Sequence, residues 1–142
     1  PGQLAGFVQL GTENKLGDIR NNTSLGITGV ISNEQYQFQE DKSCAVGCKQ
    51  DVKKGKASIL CQLGDKVQEY EVEIEKINLS SEDNKGMEIH VTDPELLKKA
   101  GGIVQGMSGA PLLQDGKCIG AVTHVFVRDV TRGYATFLEN ML

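Results

Sequence analysis

The sequence of 142 residues predicts an all-β fold. Three observations carry that prediction: 17 glycines spaced between short Val/Ile/Leu runs, an aromatic content of only 5%, and several segments in which apolar and polar residues alternate with a period of two. The length suits one domain with a real core and is short for two ordinary ones, so residues 1–142 are expected to form a single unit.

Along the chain, "PGQLAGFVQL" predicts a strand over 3–10. "NKLGDIRNNTSLGITGVIS" is polar and glycine-rich until its apolar end, which predicts a loop and then a strand at 27–31. Residues 33–43, "NEQYQFQEDKS", have no apolar face and read as an exposed connection. The clearest hairpin is "GKASILCQLGDKVQEYEVEIEKIN": an apolar run at 57–63, a "GDK" turn, then Val67, Tyr70, Val72, Ile74 and Ile77 toward the core. Glu69, Glu71, Glu73 and Glu75 take the other face, which reads as a solvated strand surface rather than an acidic binding stripe. "KGMEIHV" at 85–91 repeats the alternation, with Met87, Ile89 and Val91 inward and His90 on the polar side.

"TDPELLKKAGG" predicts a short helix over about 93–100. Asp93 is a good N-cap, Pro94 suits the first helical position, two lysines lie in the last turn and Gly101 stops it. Strands are expected after it at about 102–105, 110–114, 117–127 and 133–138, the middle pair split by the tight turn "QDGK".

Several function classes are excluded by composition. The net charge is −4 and the densest basic cluster is "KKGK" at 53–56, which leaves no electrostatic footprint for nucleic acid. No apolar stretch is long enough to span a bilayer and residues 1–20 carry no signal-peptide pattern, so the chain itself is expected to be soluble. The four cysteines, Cys44, Cys48, Cys61 and Cys118, form no pair of CxxC motifs and neither histidine lies near them in sequence, so no metal is expected, and no cofactor is implied. Cys61 and Cys118 sit in apolar strands as small hydrophobes, whereas Cys44 and Cys48 share a loop and can pair.

Chemistry concentrates in "GGIVQGMSGAPLLQDGKCIGAVTHVFV", residues 101–127. A serine hydroxyl attacks a carbonyl only with a base beside it and N–H groups aimed at the developing oxyanion. Glycines on either side of Ser108 let the turn bend so that the N–H groups of Gly106 and Ser108 can face one place. A bare G-x-S-G is weak evidence, but here a strand, a tight turn and a second strand follow directly, an order similar to the nucleophile region of chymotrypsin-like peptidases.

The stretch from "TDPELLKKAGG" through "GGIVQGMSG" and "GAVTHVFV" closely resembles the carboxy-terminal part of the stage IV sporulation protein B (SpoIVB) peptidases. "KLGDIRNNTSLGITG" and "VKKGKASIL" extend the resemblance to most of the chain. It implies a trypsin-like fold of paired β-barrels and a serine endopeptidase with a His, Asp, Ser triad in that chain order. Ser108 falls on the nucleophile and Asp93 on the triad acid, one carboxylate oxygen capping the helix while the other faces an imidazole. Gly106 and Ser108 would supply the oxyanion hole through their backbone N–H groups.

The family's base lies in a glycine-histidine motif upstream of the segment matching Pro1, and no such motif occurs here. His90 stands near Asp93 on a polar strand face, and His124 follows a buried run where a core histidine is the ordinary reading. The resemblance therefore describes a peptidase fragment without its base, its first strands, or the family's upstream PDZ domain and membrane-targeting segment. It further implies protein substrates: the protease itself, and a membrane-embedded protease complex activated at the sigma-K checkpoint of spore formation. The place of action would be the space between the two forespore membranes, reached by export. Two other readings stay open on the residues alone: a non-catalytic β-barrel that binds peptide, with Ser108 an ordinary turn residue, and a redox role for Cys44 and Cys48.

Overall fold

The longest alternating segment makes the longest ladder. In the computed structural model, which describes residues 6–32, 43–81 and 83–142, strands β4 (Gly55–Gln62) and β5 (Val67–Ile77) pair antiparallel from Gly55↔Ile74 to Gln62↔Val67. Tyr70, Val72 and Ile74 are buried while Glu69, Glu71 and Glu73 are exposed, as the period of two requires. A bulge between Ile74 and Lys76 bends β5 as it reaches β6 (Met87–Val91). Val67 is the exception to the expected inward row, being exposed at the strand's start.

Around this hairpin, β7 (Pro111–Gln114), β8 (Lys117–Val125) and β9 (Arg132–Phe137) complete a sheet in the order β8-β7-β4-β5-β6-β9. Because β8 also pairs with β9, the six antiparallel strands close into a barrel with no free edge among them. The β7–β8 hairpin turns at Asp115 and Gly116, both with positive φ (51° and 75°), as a two-residue "DG" turn needs. Gln114, buried at the end of β7, accepts from Lys53 N–H (2.9 Å) and donates to Lys53 O (2.8 Å) and Lys56 O (3.0 Å), fixing the entry to β4. Ile59, Tyr70, Val72, Ile74, Met87, Ile89, Leu112, Val122 and Phe137 fill the interior.

Helix α1 (Pro94–Ala100) adds Leu96 and Ala100 to that core and ends on Gly101 in the left-handed region. Two further pieces lie outside the barrel. β3 (Ala45–Val46) runs parallel to the start of β8, and β1 (Gly17–Thr23) with β2 (Gly26–Ile31) forms a separate two-stranded ribbon.

Three sequence expectations are corrected. Residues 6–10 are not a strand: they pair with none of the described residues, and Phe7 (91%) and Leu10 (90%) stay exposed. Residues 17–23, expected as loop, are strand β1. Among the described residues they pair only with β2, and they are open to solvent on both faces, so no apolar alternation marks them. Residues 102–105 form bends rather than a strand, and Ile103 reaches the core from there without a ladder. The strand expected at 3–10 lies in part, and the connection at 33–43 almost wholly, outside the described residues.

Candidate active site at Ser108

Ser108 sits at the exposed tip of the turn between α1 and β7. The turn is held from within. Met107, buried, donates its N–H to Val104 O (3.1 Å), Ala110 N–H returns to Met107 O (2.9 Å), and Gly109 N–H reaches across to Val122 O (2.7 Å). Gly106 (φ 98°) and Gly109 (φ 89°) adopt conformations that side chains other than glycine's strain to reach, which is why glycines flank the serine. The N–H groups of Gly106 and Ser108 donate to none of the described residues.

The Ser108 hydroxyl donates to Thr123 O at 3.0 Å. Thr123 lies on β8 where the register with β9 shifts between Val122 and His124, and the shift leaves its carbonyl facing the Ser108 turn. Two depressions flank the turn. One, of about 400 Å³, has Ser108, Gly109, Thr123, His124 and Asn84 in its wall together with the tip of the β1–β2 ribbon. The other, of about 540 Å³, is largely apolar and takes Gly106 and Met107 with Leu60, Leu63 and Val104. Thr136, 1% exposed, also lines the Ser108 depression, and its hydroxyl finds no partner among the described residues.

His124 is not the core residue expected. It is exposed and shares the depression with Ser108, although no hydrogen bond joins them. The signal was present in the sequence only as a parity: the bulge flips the alternation after Val122, so the residue after the buried run points out. His90 stays on the outer face of β6, with Nδ1 3.5 Å from Glu75, whose other oxygen accepts from Arg132 (2.6 Å). It lies outside the Ser108 depression.

Asp93 is the N-cap of α1. One oxygen accepts from Glu95 N–H (2.8 Å) and Leu96 N–H (3.0 Å), and the other accepts from Glu71 N–H (3.1 Å). Partial burial works against its ionisation, but these three N–H groups outweigh it and hold the carboxyl below the ordinary aspartate range. The second oxygen, expected to face an imidazole, accepts one bond from β5. Asp93 lines a third depression with Ser58, Glu69 and Glu71, which shares no residue with the one at Ser108. Asp93 and Ser108 share neither a hydrogen bond nor a depression.

All four cysteines are free thiols, so Cys44 and Cys48 are not bonded to each other. No group of three or more metal-ligating side chains occurs among the described residues, and none of their helices is long and apolar enough to cross a membrane.

An antiparallel six-stranded barrel with a glycine-flanked serine on the turn before a hairpin is the architecture of the trypsin-like fold. The solved Rv3671c protease of M. tuberculosis, in its active form, is similar: TM-score 0.58, 16% identity, 88% of this chain covered. This chain spans about half of that one, 54%. No curated protein matches. The chain matches the SpoIVB peptidase S55 family over residues 1–142, and it belongs to that family of peptidases.

Proposed function

We propose that this chain carries the nucleophile of a serine endopeptidase and that Ser108 is that nucleophile. The observation that carries the proposal is the turn itself: an exposed hydroxyl beside two backbone N–H groups, Gly106 and Ser108, that no described residue uses. A substrate carbonyl placed on Ser108 would have those two unused donors beside it as charge develops on its oxygen. The substrate chain would then cross the turn as a ridge, with side chains falling into the depressions on either side.

Acyl transfer requires an imidazole to take the proton from Ser108 Oγ, which gives up its hydrogen bond to Thr123 O as it attacks, and to pass that proton to the leaving amine. In this proposal the imidazole belongs to the glycine-histidine motif that the family resemblance implies, because neither His90 nor His124 is bonded to Ser108. Asp93 takes the acid role in the family motif, but its three backbone N–H bonds and its separate depression favour the cap. Membership of the SpoIVB family supports a place in sporulation signalling, with self-cleavage and activation of a membrane-embedded protease complex as the physiological acts and the space between the forespore membranes as their location.

The rival reading is a peptide-binding barrel without catalysis. The bond from Ser108 to a carbonyl favours it, since the hydroxyl at rest faces no base. Ser108→Ala in the full-length protein separates the two. The fold is expected to persist and cleavage, including self-processing, to be lost; processing retained in the alanine variant removes Ser108 from the chemistry.

A further inference from the structure

A series of hydrogen bonds runs from the β1–β2 ribbon to the serine. Asn84 Nδ2 donates to Ser24 O (3.0 Å), the Thr123 hydroxyl donates to Asn84 O (2.6 Å), and Thr123 O accepts from the Ser108 hydroxyl (3.0 Å). Tyr134 O on β9 is a second acceptor for the Thr123 hydroxyl at 3.1 Å. Thr123 is half-buried at the one irregularity in the β8–β9 ladder, where its backbone is not fixed by regular pairing on both sides. The one proton of the Thr123 hydroxyl is thus shared between two carbonyls from different segments, Asn84 O at 2.6 Å and Tyr134 O of β9 at 3.1 Å, and both hold the bulged residue by its side chain.

We propose that Thr123 is a positioning residue for the nucleophile: its hydroxyl clamps the β8 bulge so that its carbonyl sets the resting orientation of the Ser108 hydroxyl. The inference rests on the reading of Ser108 as nucleophile. A hydroxyl tied to a fixed carbonyl keeps Oγ in one rotamer, and its single proton swings from Thr123 O to the imidazole by rotation about the Cβ–Oγ bond, without moving the attacking oxygen. If the bulge loosens, the hydroxyl samples other rotamers and fewer encounters lead to attack. Substrate binding, which uses the depressions on either side, should change little. Asn84 acts one bond further out, since its side chain holds the loop that supplies one of the two carbonyls.

The test uses the full-length protein, a fluorophosphonate that labels the serine, and a peptide substrate. Thr123→Val keeps shape and β-branching but removes the donor. Labelling rate and kcat should fall together by about tenfold, the scale of one hydrogen bond, with KM unchanged and a single cooperative melt kept at a slightly lower temperature. Thr123→Ser, which restores the hydroxyl, should recover most of the rate. Asn84→Ala should slow labelling by about threefold, and it keeps the inference testable if the valine variant does not fold. Labelling of Thr123→Val at the wild-type rate, or of Thr123→Ser as slowly as the valine variant, overturns the inference. Cleavage retained in Ser108→Ala overturns instead the reading beneath it, so the two failures are distinct.

Discussion

At the scale of single residues, glycine placement and thiol burial say most. Ser108 was legible because only glycine accepts the backbone that Gly106 and Gly109 adopt, so the turn is written in its residue types. His124 was misread because one bulge inverts the parity of β8, and a register shift leaves no mark in composition. The cysteines carry a prediction of their own. Burial raises the pKa of the Cys61 and Cys118 thiols, while Cys44 and Cys48 are exposed. The thiolate is the reactive form. At neutral pH an alkylating reagent should therefore modify Cys44 and Cys48 well before Cys61 and Cys118, and all four after unfolding, as read by peptide mass mapping. Equal rates at Cys44 and Cys61 in the folded protein would show that β4 opens far more readily than its ladder implies.

Elements were readable where a local rule acts alone. The bounds of α1 follow from Asp93, Pro94 and Gly101, each doing at the helix end what its chemistry favours. Strand β1 was not readable, since "GDIRNNT" buries no face and owes its form to pairing with β2 alone. Asp93→Asn tests the cap against the triad. Asparagine caps about as well as aspartate, but its NH2 replaces the oxygen that accepts from Glu71 N–H, so stability near neutral pH should fall by about 1–2 kcal/mol. Because the folded pKa of Asp93 lies below its ordinary 3.8, the charged cap stabilises the fold above that value, and the contribution is lost as pH falls through the folded pKa. The asparagine variant should lack that part of the acid transition in a pH series of melts. Its turnover should stay within a few-fold of wild type; a fall of several orders of magnitude with the fold intact would instead make Asp93 the triad acid.

For the whole molecule, alternation fixes which face of each strand is buried but not which strand lies beside which. The inward rows at Tyr70, Val72, Ile74 and at Met87, Ile89, Val91 were all readable; the closure of β8 onto β9 was not, because it joins residues through the register of a bulged ladder. That closure nevertheless makes the site. It sets Thr123 opposite the Ser108 turn, while the α1 connection carries Gly106 and Met107 to the rim of the neighbouring apolar depression. The central claim, that this turn presents a catalytic nucleophile, is tested most directly by treating the folded full-length protein with a fluorophosphonate and mapping the adduct by mass spectrometry. The account predicts one stoichiometric adduct on Ser108, formed at a rate that tracks peptidase activity and absent from Ser108→Ala. An active, folded protein that carries no adduct, or carries it on another serine, would contradict it.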